Sequence, residues 1–294
     1  MTTTPRLGVC FTPFMPTEAL ASLAHGAEAA GLDDLWVWED SFKQSGIASA
    51  AAALAWTERI SVRIGLLPVP LRNVGLTAME VATLDRLFPG RFVVGIGHGV
   101  QEWMGQAGVR VASPVTLLRE YAQALRRLLA GERVTVDGRY VTLSDVALDW
   151  PPLTPPAVLL GGSGPRTLAL AAEVGDGVML GGNLDYDGVE EACRLVAGAT
   201  GDRPRPAPQH GVSTTVVAAT GPGAAERVEV EVRAWDGEPG NGNGIAGDPG
   251  EIAQAVAHLG RRGASTVVIQ PTRDEPDLPA LLGALGEVRR ILAA

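Results

Sequence analysis

The stretch LLGGSGPRTLALAAEVGDGVML, residues 159–180, packs a whole structural unit into a short span. An apolar run ends in Gly161-Gly162, Ser163 and Gly164 follow, and Pro165 opens a segment of helical period. Gly175-Asp176-Gly177 closes that segment and a second apolar run begins. Proline is preset for the first turn of a helix and glycine for a tight entry into it. The stretch therefore reads strand, turn, helix, turn, strand. Continuous apolar runs on either side of a helix mean parallel strands covered on both faces. The first N–H groups of a helix have no intrahelical partner, and the partial positive charge there favours an anion, above all phosphate. Arg166 would add a charge-assisted contact. Two readings stand for the turn: a tight strand-to-helix connection, or a phosphate cradle. It is not a Walker loop, because no Gly-Lys-Ser/Thr follows, and no strand ending in an acidic residue lies where a dinucleotide fingerprint needs one.

The same alternation runs outward in both directions. Strands are expected at 7–14, 33–40, 62–70, 91–99, 157–161, 177–181, 211–219 and 265–272. Helices are expected at 17–31 (capped by Thr17 and stopped by Gly31), 46–57, 77–88, 114–131, 165–175, 187–198 and 223–235, from Asp248 as N-cap, and at 277–293. Eight strand–helix pairs suit a closed (β/α)8 TIM barrel better than an open doubly wound sheet. The chain is expected to form one barrel domain over 1–294, with insertions near 100–113, 133–150 and 236–247. The segment 133–150 alternates with period two around Asp137-Gly138 and reads as a hairpin on the outside or rim. The glycine-rich 236–250 reads as a loop.

Composition narrows the class. The chain has 294 residues, of which 46% are hydrophobic, so it has ample material for a large core. Net charge is −9 with Lys and Arg scattered, which lacks the basic stripe of a nucleic-acid binder. Two cysteines, Cys10 and Cys193, are too few for a disulfide framework and are expected to be reduced and buried. The N-terminal MTTTPR has no secretory pattern and no apolar stretch is long enough to span a bilayer, so a cytoplasmic protein without membrane association is expected. No His/Cys/Asp/Glu cluster has metal-ligand spacing, so no metal is expected.

The ordered set GGSGPRTLALAAEVGDGVML, EAAGLDDLWVWED, VRIGLLPVPLRN, TLDRLFPGRFVVGIGHG and GDPGEIAQAVAHLGRRGASTVVIQP resembles the bacterial luciferase-like monooxygenase superfamily, particularly its branch of F420-dependent oxidoreductases. The resemblance implies a coenzyme at the C-terminal mouth of the barrel: the deazaflavin F420, with FMN as the alternative. Gly161, Gly162, Ser163, Gly164, Arg166 and Thr167 would then hold its phosphate and ribityl end. The stretch 65–70 matches the third-strand bulge, so Leu66, Leu67 and Pro68 would press on the ring, with a cis bond at Leu66-Leu67 or at Leu67-Pro68. The family's common Asp-His at the second strand end is replaced here by Glu39-Asp40, which removes that histidine's role in protonation.

The candidate catalytic groups are Asp40, His98 and Glu102. Asp40 is either a polar group near the reactive edge of the ring or a turn carboxylate. His98, at the end of the fourth strand, either faces the mouth or packs as a structural ring. Glu102 is its partner, a general acid, or a solvated loop carboxylate. Phe14, Trp38 and Trp103 are candidates for an apolar substrate pocket. The resemblance further implies hydride transfer to or from a small-molecule substrate in the F420 form, with a flavin or F420 reductase as a candidate partner. An FMN form would be a reduced-flavin-using monooxygenase. A non-catalytic barrel that binds a flavin or phosphate ligand is the reading from another class. A homodimer through helices beside the second and third strands, the 46–57 helix among them, is expected.

Overall fold

The computed structural model describes residues 4–181, 184–199 and 210–294; the first three residues of the polar N-terminus lie outside them. In chain order the strands are β1 (Arg6–Phe11), β2 (Asp34–Val37), β3 (Ser61–Pro68), β4 (Phe92–Gly97), β5 (Val134–Asp137), β6 (Thr142–Val146), β7 (Val158–Gly161), β8 (Gly177–Met179), β9 (Val212–Ala219), β10 (Gly244–Ala246) and β11 (Ala264–Pro271). The helices are α1 (Ala19–Ala29), α2 (Gly46–Trp56), α3 (Val74–Leu87), α4 (Gln101–Gln106), α5 (Pro114–Leu129), α6 (Pro165–Val174), α7 (Tyr186–Ala199), α8 (Ala224–Ala234), α9 (Pro249–Arg261) and α10 (Leu278–Ala293).

Eight parallel strands close on themselves in the order β1, β2, β3, β4, β7, β8, β9 and β11, with β11 returning to β1 through the register Arg6↔Thr266 to Val9↔Ile269. This is the (β/α)8 barrel expected from the alternation. Its strands are buried nearly end to end, because one face meets the helices and the other the barrel interior. The three expected insertions hold structure of their own. The segment 100–113 carries α4, 133–150 is the antiparallel hairpin β5–β6, and the glycine-rich segment supplies the short β10, which extends β9 through Gly244↔Val217.

Local chemistry sets the helix ends. Ser45, Asn73 and Asp277 accept N-cap bonds from Ala48, Gly75 and Ala280, and Asp248 forms a reciprocal capping box with Glu251. Thr17 does not cap α1. The chain turns through Thr12–Met15 and Pro16–Ala19, so the helix begins at Ala19 with Glu18 at its N-cap and no side-chain bond. The bulge on β3 is present, since its register with β4 passes from Ile64↔Val94 to Leu67↔Ile96. The cis peptide lies at Gly65–Leu66, one residue before the expected Leu66–Leu67 and two before the expected Leu67–Pro68. Glycine fits there because a Cβ on residue 65 would stand 2.8 Å from both the Trp36 ring and Met179 Cε.

The barrel interior is plugged in two layers. At the N-terminal end Asp34 accepts from Arg63 Nε at 2.7 Å and from Arg6 at 2.7 Å, a buried carboxylate with two cations. Above it Trp36 packs with Cys10, Val93, Leu159, Met179 and Val268, and the Arg63 guanidinium lies 5.6 Å from the Trp36 ring. Both cysteines are free; Cys10 is fully buried and Cys193 only partly. Burial raises both thiols, Cys193 to about 11, so both are protonated at neutral pH.

Candidate active site at the barrel mouth

Above the Trp36 layer a cavity of about 330 Å³ opens at the C-terminal mouth of the barrel. Much of the wall comes from strand ends, as expected at the C-terminal face of a parallel barrel, and α4, α8 and the loop before β10 supply the rest. β2 supplies Trp36 and the residues Trp38, Glu39 and Asp40 just beyond it; β3 gives Gly65, Leu66 and Pro68. His98 and Gly99 follow β4, Gly161 and Gly162 lie at the end of β7, and Leu180 and Gly181 follow β8.

The floor is one interlocked contact. The Leu66 side chain lies over two strand-end glycines: a Cβ on Gly97 would stand 2.6 Å from Leu66 Cδ2, and one on Gly161 2.3 Å from it. Side chains at 97 and 161 would displace the bulge residue, so glycine at both positions is what lets Leu66 form the floor. Leu67, in contrast, is buried behind the wall and Pro68 faces the cavity.

The glycine turn sits at the rim. Gly161 and Gly162 line the cavity, Ser163, Gly164 and Arg166 are exposed beside it, and Thr167 is buried beneath, its Cγ2 2.5 Å from where a Cβ on Gly162 would be. Gly164 is the N-cap of α6 and Pro165 its first residue. Among the described residues the N–H groups of Ser163, Gly164 and Arg166 have no partner, nor does the Arg166 guanidinium. An open cradle of N–H groups with a free cation beside it is what a phosphate group needs. The residues present therefore fit a phosphate-bearing coenzyme.

The two residues replacing Asp-His have different roles. Glu39 is locked: it accepts from Gly46 N at 2.7 Å, at the start of α2, and pairs with both terminal nitrogens of Arg72. Asp40 has a looser partner, Lys43 Nζ at 3.5 Å. Burial raises the Asp40 carboxyl above its ordinary value despite that lysine, so it holds a proton more readily than a surface aspartate. His98 lines the cavity, and its Nδ1 lies 3.0 Å from the Gly99 carbonyl. The carbonyl can only accept, so that contact puts the proton on Nδ1. Glu102 stands exposed on α4 and does not line the cavity, whereas Trp103 on the same helix does.

Sequence reasoning missed one wall. Trp235, at the C-cap of α8, stacks edge-on against Trp38 at 5.8 Å and against Phe14 at 5.9 Å. Phe14 itself is 40% exposed and stands at the rim, outside the cavity lining, with Lys43 Nζ 4.1 Å and the Arg273 guanidinium 4.5 Å from its ring. Beneath Trp235 the carboxylate of Glu231 accepts from the Trp235 indole at 2.8 Å, from Gln270 at 3.3 Å, and from the backbone and side chain of Arg273 at 3.1 and 2.8 Å. Burial alone would raise this carboxyl, but the bonds from Arg273 and Trp235 outweigh it and hold it below its ordinary range. Ser213, Thr215 and Val217 face inward from β9, joined by Asn243 and by Val268 and Gln270 of β11. The alternation polar-inward at 213 and 215 is visible in VSTTVVAA, but which parity faces inward depends on barrel register.

The chain belongs to the luciferase-like monooxygenase family, which it matches over residues 3–271. It is 31% identical over 193 residues to the 5,10-methylenetetrahydromethanopterin reductase of Methanolobus tindarius, across 65% of this chain and 59% of the relative. It is 35% identical over 179 residues to the F420-dependent glucose-6-phosphate dehydrogenase of Beutenbergia cavernae, across 56% of this chain and 52% of the relative. The chain thus spans between half and three-fifths of these relatives. The coenzyme F420-dependent tetrahydromethanopterin reductase of Methanopyrus kandleri has the same fold, with a TM-score of 0.81 at 19% identity over 99% of this chain and 100% of that one. A monooxygenase from Streptomyces bottropensis has it as well, with a TM-score of 0.84 at 17% identity over 98% and 100%. No helix among the described residues is long and apolar enough to cross a membrane.

Proposed function

We propose that the protein is an F420-dependent oxidoreductase acting on a small organic substrate at the barrel mouth. The observation that carries this reading is the open turn Gly161–Arg166 at the edge of a cavity floored by the Leu66 bulge. The F420-dependent glucose-6-phosphate dehydrogenase of Beutenbergia cavernae, at 35% identity, supports the choice of coenzyme.

When bound, F420 supplies a ring carbon, C5, that accepts or gives a hydride. The unpartnered N–H groups of Ser163, Gly164 and Arg166, with the Arg166 side chain, bind its phosphate. Leu66 and Pro68, which line the cavity, would support its ring, and Trp36 closes the barrel interior against water. Asp40 and His98 are the groups that hold or release a proton: Asp40 because burial favours its protonated form, His98 through Nε2. Glu39 has a positioning role, since its ties to Arg72 and Gly46 fix the strand end from which Asp40 projects. Trp38, Trp103 and Trp235 form the apolar walls for the substrate.

The protein is further proposed to self-associate. Leu76, Met79 and Leu87 form one exposed apolar stripe along α3, with Trp56 exposed at the end of neighbouring α2.

The coenzyme is tested by titrating the purified protein with F420 and, separately, with FMN, following tryptophan emission, since Trp36, Trp38, Trp103 and Trp235 all line the cavity. Saturable quenching by F420 that Arg166→Ala weakens supports the proposal. Quenching by FMN alone moves the chemistry to reduced-flavin monooxygenation, and quenching by neither removes the coenzyme from the turn.

A further inference from the structure

We propose that the outer half of the cavity takes an uncharged, largely apolar molecule whose polar end donates a hydrogen bond, as an alcohol does, and that it rejects phosphate esters. The inference rests on the coenzyme reading above, because the deazaflavin determines which part of the cavity is left for substrate.

Two buried amides carry it. Gly244 and Gln270 both pair with Val217 from opposite sides of β9, so Asn243 and Gln270 flank that inward-facing valine near the mouth. Ser213, which pairs with Met179, lies four residues deeper along the same strand. Asn243 is 6% exposed; its Nδ2 donates to the Glu238 carbonyl, and its Oδ1 has no partner. Gln270 is 4% exposed and its Nε2 is taken by Glu231 at 3.3 Å, which leaves Oε1 as its free group. Both residues line the cavity. Each carries an oxygen acceptor, and leaving the buried Asn243 Oδ1 without a donor is costly. A ligand that donates satisfies it; one that only accepts meets a second oxygen. The surfaces between the amides are Val217, Val232, Trp38 and Trp235, which call for an apolar body.

Charge excludes the alternative. Among the described residues no Lys or Arg lines the cavity, while Glu39 and Asp40 do. Of the cations nearest the mouth, Arg166 is taken by the coenzyme phosphate on the reading above, and the others are each tied to a carboxylate: Lys43 to Asp40, Arg72 to Glu39 and Arg273 to Glu231. A phosphate monoester of charge about −1.5 to −2 would lose its hydration beside two carboxylates with no free counter-charge.

Saturation-transfer NMR on the full chain, with and without F420, tests this with cyclohexanol, cyclohexanone and glucose 6-phosphate. Cyclohexanol is expected to bind about tenfold more tightly than cyclohexanone, the worth of one buried hydrogen bond, and glucose 6-phosphate not at all once F420 fills the Gly161–Arg166 turn. Asn243→Leu is expected to shrink the alcohol's advantage to nearly nothing, and the wild-type comparison stands even if that variant does not fold. Glucose 6-phosphate binding as tightly as cyclohexanol in the presence of F420 overturns the inference, as does a ketone that binds equally well or the absence of binding by all three. If F420 fails to bind while the alcohol preference holds, the coenzyme reading falls and the ligand class survives.

Discussion

The indole of Trp235 donates to Glu231 Oε1 across 2.8 Å, one helical turn back along α8, and the same carboxylate holds Arg273 and Gln270 from β11 and the loop beyond it. One buried acid therefore fixes the aromatic wall, the free oxygen of Gln270 and the cation that lies on Phe14. The site is organised from beneath by a residue that does not touch the cavity.

Replacing that charge should loosen the whole wall. Glu231→Gln keeps the shape but removes the ionic partner of Arg273, and is expected to lower unfolding free energy by about 1–3 kcal/mol. The Glu231 pKa is depressed, so its contribution is fully present above the ordinary value of 4.5 and is lost as pH falls through the folded value. Urea unfolding of the wild type and Glu231→Gln at pH 7 and at pH 3 measures this: the gap should be wide at pH 7 and narrower at pH 3.

Asp40 should show the opposite sign. Its folded pKa lies above the ordinary 3.8, so between the two values the folded state binds more protons and stability falls as pH rises. Asp40→Asn is expected to raise the melting temperature at pH 7, to leave it nearly unchanged at pH 3, and to slow turnover if Asp40 moves a proton. A melting temperature at pH 7 unaffected by the change would contradict the burial cost.

Gly95 is a stability prediction in its own right. A Cβ there would lie 2.4 Å from the Ile64 carbonyl oxygen, a backbone atom at the bulge, and 2.4 Å from Met179 Sδ. Gly95→Ala is expected to destabilise by about 1–3 kcal/mol or more, measurable by calorimetry.

The apolar stripe on α3 predicts an association equilibrium. Leu76→Glu with Met79→Glu should shift the protein toward the monomer in sedimentation velocity and leave its circular dichroism unchanged, because both side chains are exposed.

The barrel was legible in the sequence because fully buried parallel strands such as FVVGIG and VVIQP leave continuous apolar runs between helical periods. What escaped was short or depended on tertiary contact. β10 has only three residues and owes its existence to β9, and Thr17 lost the cap because turns from Thr12 to Ala19 set where α1 starts. The cis bond is expected from sequence at Leu66–Leu67 or Leu67–Pro68, but the tight space is at Gly65, against Trp36, and no local pattern shows that. In the site, strand-end residues such as Asp40, His98, Gly161 and Trp38 were readable from position alone. Trp235, Asn243 and Gln270 were not, since they meet only when α8, β11 and the loop before β10 converge. Glu102 followed His98 closely in sequence, yet α4 turns its side chain to solvent.

Leu66 resting on Gly97 and Gly161 ties three strands into a single unit of variation. A methyl group added at 161 has nowhere to go unless residue 66 shrinks, so the two positions should be strongly epistatic: Gly161→Ala harmful alone, and relieved by Leu66→Ala in the same chain. A library that randomises the coenzyme turn while keeping Leu66 would discard most of its members for a reason unrelated to phosphate. One that couples positions 66, 97 and 161 would explore alternative floors for the cavity.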